Sequence, residues 1–153
     1  MKQLLLVLFV SFPLAAADPP GFAHLTSHQM RGYETTLAPK INPQKVATDR
    51  LADWGNHLLM VAHRQGSGES ELHEAHVDLF IVQSGEATLV VGGKIVDGRT
   101  AAPGEIRGRA IEGGEKKKLG PGDIVHIPAR TAHQLLLEPG RQFTYAICKI
   151  DSK

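Results

Sequence analysis

From Val46 onward the sequence breaks into short apolar, β-branched runs, each interrupted by a turn rich in glycine or proline. Runs this short cannot sustain long helices, and they restrict the chain to many small strands that must close on one another. Residues 57–64, 79–83, 87–91, 94–96, 116–119, 124–127, 133–137 and 142–150 read as strands, with 46–54 as a further one. Ser84-Gly85, Gly92-Gly93, Gly120-Pro121-Gly122 and Glu138-Pro139-Gly140 read as the turns between them. Residues 97–114 carry five glycines and Pro103 and read as a long loop holding one strand near 105–111. The expected class is all-β, a sandwich or barrel preceded by one short helix.

That helix is predicted over residues 26–37. Thr26 or Ser27 can cap it, Pro39 ends it, and Met30, Tyr33 and Leu37 recur at helical spacing. Such a stripe suits packing against the outside of a sheet. Before it, Met1-Lys2, an apolar run and the small residues Ala15-Ala16-Ala17 follow the order of a secretory leader. The expected organisation is a leader over 1–17, an extension with the helix over 18–45, and the barrel over 46–153. Export, to a periplasm or the exterior, follows from that leader. Cleavage would remove Lys2 and leave basic and acidic residues in equal number. A balanced charge gives no electrostatic case for nucleic acid or for an anionic membrane surface. The lone cysteine, Cys148, allows no internal disulfide and reads as a buried thiol in the last strand.

The stretch Glu71-Leu-His-Glu-Ala-His-Val-Asp78 gathers Glu71, His73, His76 and Asp78 just ahead of a strand. Residues two apart on a strand share a face, so Glu71 pairs with His73 and His76 with Asp78. The two pairs are out of phase, and a bulge between them would bring all four to one point. His133 would approach from the turn-and-strand region 122–133. Taken singly, each of these side chains is as readily an edge or core residue. Several ionisable groups aimed into one barrel, however, are costly without a partner. Imidazoles with carboxylates suit a divalent metal ion: iron, manganese or zinc. His126 and Arg130, close to His133, are candidates to hold a small-molecule ligand. On residues 57–64 either His63 or Arg64 must face inward, and the sequence leaves the phase open. A phosphate loop or nucleophile elbow is absent, since Gly66-Ser67-Gly68 lacks the strand-to-helix context.

These two regions resemble the two motifs of the cupin superfamily. Glu71-Leu72-His73, Asp78 and Gly85 fit the spacing of the first motif, and Gly122, Pro128, Arg130 and His133 that of the second. Glu71 stands where the family has its first histidine, Asp78 where it has a glutamate, Arg130 at an inner glycine and Leu137 at a terminal asparagine. The resemblance covers about residues 58–150. It implies a jelly-roll, double-stranded β-helix barrel holding a metal on Glu71, His73, Asp78 and His133, with His76 as an alternative to Glu71. It further implies a small polar ligand at the barrel mouth and pairing into a homodimer. An enzyme would carry out metal-assisted oxidation or isomerisation. A non-catalytic binding module and a structural, dimerising barrel are the competing readings.

Overall fold

A computed structural model describes residues 17–152. The leader expected over 1–17 lies outside them except for Ala17. The helix α1 spans Ser27–Leu37. Thr26 caps it, with its hydroxyl and the Gln29 side chain satisfying each other's backbone N–H groups. Thirteen strands follow: β1 Val46–Asp53, β2 His57–Arg64, β3 Ser70–His73, β4 His76–Gly85, β5 Ala87–Val91, β6 Lys94–Val96, β7 Arg99–Ala102, β8 Glu105–Gly108, β9 Ala110–Glu112, β10 Glu115–Leu119, β11 Ile124–Ile127, β12 His133–Leu136 and β13 Phe143–Asp151. They form a five-stranded sheet, β1-β2-β13-β4-β11, a six-stranded sheet, β10-β5-β12-β3-β8-β7, and the small pair β6-β9. All pairings are antiparallel.

Strand alternation builds the core. Phe80 and Val82 of β4, Phe143, Tyr145 and Ile147 of β13, Ala62 of β2, Leu89 of β5 and Leu135 of β12 fill the space between the two large sheets. On β2 the phase left open by the sequence resolves in favour of Arg64, which joins Met60 and Ala62 on the inner face. His63 faces out, fully buried, with Nδ1 2.8 Å from the Thr144 hydroxyl. Burial lowers its pKa, as expected for an imidazole removed from water. The helix packs on this outer face through Met30, Tyr33 and Leu37, against Ala47 and Val61, as its apolar stripe requires.

Three expectations are corrected. Residues 97–114 are not a long loop: they supply β7, β8 and β9. The single strand expected near 105–111 divides at Arg109, and its halves join different sheets. At the break Gly108 lets the chain pass close to β6, where an added Cβ would lie 2.3 Å from the Ile95 side chain. No bulge joins His73 to His76. Instead β3 ends at His73, the chain crosses at Glu74-Ala75, and β4 begins in the opposite sheet. The phase difference between the two pairs is thus absorbed by a change of sheet. Cys148, expected to be buried, is half-buried on the outward-facing side of β13, and burial pushes its thiol pKa up.

Candidate metal centre

Each contact at the centre of the barrel follows from strand register. His133 on β12 lies opposite Glu71 on β3. Across β3 on the other side, β8 sets Arg107 opposite Glu71 and Glu105 opposite His73. In the facing sheet, Lys149 on β13 lies opposite Asp78 on β4. Directly opposed side chains on antiparallel strands are within contact distance, so four ladder positions deliver seven ionisable groups to one place.

The ion-pair and ligand distances are short. His73 Nε2 lies 3.1 Å from Asp78 Oδ2 and 3.7 Å from Glu71 Oε2. His133 Nε2 lies 3.5 Å from Asp78 Oδ2 and 3.6 Å from Glu71 Oε1. Ligand atoms of Glu71, His73 and His133 all fall within 4.8 Å of one another. Donors that share a tetrahedral ion at bonds of ~2.1 Å stand about 3.4 Å apart, and the imidazole–carboxylate distances of 3.1 to 3.7 Å bracket that value.

The far sides of the two imidazoles define their tautomers. His73 Nδ1 is 2.5 Å from Glu105 Oε2, and His133 Nδ1 is 3.0 Å from the Thr131 carbonyl. Both partners are acceptors, so each Nδ1 carries the proton and donates it. Each Nε2 is then aimed at the centre, buried, and without an aligned hydrogen bond. A carboxylate or carbonyl behind a histidine is how metal-binding imidazoles are oriented. Two such nitrogens beside two carboxylates fit a divalent ion.

Two cations stand against the three carboxylates of the cluster. Arg107 pairs with Glu71 Oε2, and its second amino group is 3.8 Å from Glu105. Lys149 Nζ sits 3.1 Å from Asp78 Oδ1, an ion pair rather than an aligned hydrogen bond. Burial would raise the Asp78 pKa, but its contacts with His133 and His73, together with the Lys149 charge, outweigh this. They hold its carboxyl far below the usual range. At His73 burial disfavours the imidazolium, yet contact with Asp78, and the fields of Asp78 and Glu71, raise its pKa above the ordinary value.

The other expected site residues lie elsewhere. His76 shares the face of Asp78 but sits at the rim, with Nε2 3.4 Å from Asp151 and Nδ1 3.9 Å from Glu105. It does not join the trio of Glu71, His73 and His133. His126 and Arg130 do not line the cavity beside the cluster, contrary to the expectation for a ligand site. Val125 and Ile127 take the inward positions of β11, which turns His126 to solvent. Arg130 is exposed on the turn before β12, and its role is backbone geometry: its N–H donates to the His73 carbonyl at 2.7 Å. Its φ of 61° explains why the resembled motif has glycine there. Replacing Arg130 by glycine is expected to stabilise the fold by about 0.5–1 kcal/mol, the left-handed penalty less the entropy of glycine. Urea denaturation checks it; a destabilised variant would show that Arg130 contributes more than strain.

Glu105, Arg107 and Lys149 were not anticipated, and Arg64 stood only as one of two alternatives with His63. The signal for the first three was present. Glu105 and Arg107 alternate across Ile106, and Lys149 continues the inward series Phe143, Tyr145, Ile147.

No protein-family model matches the sequence, and no curated protein matches it. Solved structures do. TT1209 from Thermus thermophilus is similar at TM-score 0.55 and 18% identity, over 76% of this chain and 92% of that one. A cupin 2 conserved barrel domain protein from Rhodopseudomonas palustris matches at TM-score 0.50 and 20% identity, over 71% and 62%. The polyketide cyclase RemF from Streptomyces resistomycificus matches at TM-score 0.50 and 17% identity, over 70% of this chain and 66% of the cyclase. The chain has the fold of the cupin superfamily, a double-stranded β-helix barrel.

Proposed function

We propose that this chain is an exported, single-domain cupin that binds a divalent metal and a small polar ligand inside its barrel. The observation that carries the reading is the pair of buried Nε2 atoms on His73 and His133, each freed by a proton held on Nδ1. His73, His133 and Glu71 would hold the ion, with Asp78 beside both imidazoles. Nitrogen and oxygen donors without thiolate favour iron, manganese or zinc. When bound, such an ion supplies Lewis acidity toward a ligand oxygen.

The protein's own groups do the rest. Glu105 orients His73, Thr131 orients His133, and Arg107 neutralises the Glu71 oxygen that faces it. Beside the cluster lies a cavity of about 190 Å³ whose walls include Val46, Met60, Phe80 and Ile147. Its apolar walls would exclude bulk water from a bound compound. Export rests on the leader alone. Among the described residues, no helix is long and apolar enough to cross a membrane. Pairing of two copies is supported by β11, an edge strand whose Ile124 is 69% exposed beside the outward Ile81. Sedimentation velocity reads that state directly.

The test uses pH. The raised His73 pKa means that, without metal, folding tightens a proton on this ring. That contribution is fully present below the unfolded value of about 6.5 and is lost as pH rises through the folded value. The His73 contribution, read as the difference between chelator-treated wild type and chelator-treated His73→Gln so that the opposing His63 contribution cancels, should therefore be larger at pH 6 than at pH 8. Metal competes for the same Nε2, so the stabilisation added by zinc or manganese should grow from pH 6 to pH 8. Elemental analysis of the purified protein accompanies the melts. Negligible metal together with a pH-independent chelator response would refute the proposal. A ligand that stabilises the loaded protein and yields product marks an enzyme, and one that stabilises without product marks a binding module.

A further inference from the structure

We infer that the cavity receives a small organic carboxylate, held by Arg64 at its anionic end and facing the Glu71–His73–His133 cluster at the other. This rests on the metal-and-ligand reading above and names the class of ligand. Three cations, Arg64, Arg107 and Lys149, and two carboxylates, Glu71 and Asp78, line the cavity. Two of the cations are matched: Arg107 by Glu71, and Lys149 by Asp78 at 3.1 Å. Arg64 is not. Its Nε donates to the Tyr145 hydroxyl at 3.1 Å, and among the described residues no carboxylate lies within ion-pair distance. Yet Arg64 is only 8% exposed. Glu71 acts on it only through its field, beyond ion-pair distance, so an anion entering the cavity would supply the direct partner that this buried guanidinium lacks.

The guanidinium of Arg64 packs against Gly68. A Cβ at Gly68 would lie 2.6 Å from Nη1, so the glycine leaves room for the guanidinium. One planar fork matches one carboxylate bidentately. A phosphate dianion would need more donors than this fork supplies. Size sets the remaining limit. At roughly 30 Å³ for each water displaced, the ~190 Å³ space holds a compound of about six to ten non-hydrogen atoms. Val46, Met60, Phe80 and Ile147 would contact its carbon skeleton.

Calorimetric titration of metal-loaded protein with acetate, lactate and succinate, against acetamide, lactamide and succinamide, tests the assignment. At least one acid should bind at least about tenfold more tightly than its amide, the weight of one charge-assisted contact. Arg64→Gln should weaken the acids by about 10- to 100-fold, leave the amides nearly unchanged and retain the metal content of the wild type. Gly68→Ala, which displaces the guanidinium tip while keeping its charge, should act in the same direction. Equal affinity for acids and amides overturns the inference. So does unchanged acid binding in an Arg64→Gln protein of normal metal content, or inorganic phosphate binding more tightly than every acid. Should Arg64→Gln fail to fold, the wild type still decides: its Arg64 guanidinium nitrogen resonances must move with the acids and not with the amides. Metal content separates the two readings. A protein that takes up no metal refutes the metal centre, and the same titrations of metal-free protein still read the Arg64 subsite.

Discussion

Alanine at His133 is expected to remove metal binding while leaving the barrel folded. His133 contributes one of the two imidazole nitrogens aimed at the centre, and no other described histidine is placed to replace it. His76, the nearest in sequence to the cluster, points instead toward Asp151 and Glu105. Loss of groups that merely orient a ligand typically costs 10–100-fold in metal affinity, so loss of a ligand itself should cost more than about 100-fold. The same change leaves Asp78 with one polar partner fewer and opens a small void beside Phe80, whose ring is 6.3 Å from that of His133. A loss of about 1–3 kcal/mol in the metal-free protein follows. Melting curves separate these effects. Metal at a hundredfold excess over its dissociation constant stabilises by about 2.7 kcal/mol, or on the order of 10 °C for a domain of this size. That increment should be present in the wild type and absent in His133→Ala and His73→Ala. Equal metal in the wild type and in a variant carrying both His73→Ala and His133→Ala would mean that the ion sits elsewhere. His133→Gln, which keeps most of the volume, guards against reading a packing defect as a lost ligand.

The centre was legible in the sequence to the extent that strand alternation and spacing carry it. Glu71, His73, Asp78 and His133 stand out because ionisable side chains cluster beside apolar runs, and the structure brings all four together. Their mutual phase was not legible. A one-dimensional reading joins Glu71–His73 to His76–Asp78 as one strand and needs a bulge, whereas the chain changes sheets at Glu74-Ala75. Which residues stand behind the imidazoles depends on the partner strand. Glu105 and Arg107 meet His73 and Glu71 only through the β3–β8 register, and that strand was hidden in a glycine-rich segment. Arg64 illustrates a different limit. On a strand buried on both faces, His63 and Arg64 are equally enclosed, one beneath the helix and one in the barrel. Periodicity of hydrophobicity carries no phase there. The helix was readable because its cap, stripe and terminating proline are all local. His126 and Arg130 were misplaced because proximity to His133 in sequence says nothing about which way a turn or an edge strand faces.

Alanine at Gly85 is expected to be among the most damaging single-methyl changes in the chain. Gly85 ends β4 at φ +78°, and a Cβ there would lie 1.9 Å from the Gln142 carbonyl oxygen, 2.9 Å from its carbon and 3.1 Å from Phe143 Cα. All three are backbone atoms at the entry to the partner strand and cannot rotate aside. Gly92 is the control: its φ is nearly the same, +75°, but nothing lies within 4 Å of the added carbon. Gly92→Ala should cost only the left-handed penalty, about 1–2 kcal/mol. Gly85→Ala should cost that and the steric displacement of β13 as well, more than about 3 kcal/mol in total. Urea denaturation of both variants in chelator reads the difference, and equal losses would show that β13 yields easily. The damage should extend to the metal centre through register. Next to Gly85 the ladder skips Gln83, so that Ser84 faces Thr144 while Val82 faces Tyr145. That one-residue bulge aligns the inward series of β4, Val82, Phe80 and Asp78, with Tyr145, Ile147 and Lys149 on β13. A slip of one residue would turn Asp78 to the opposite face of its sheet and away from the two imidazoles. Gly85→Ala should therefore weaken metal binding even in the fraction that folds, whereas Gly92→Ala should leave metal affinity unchanged.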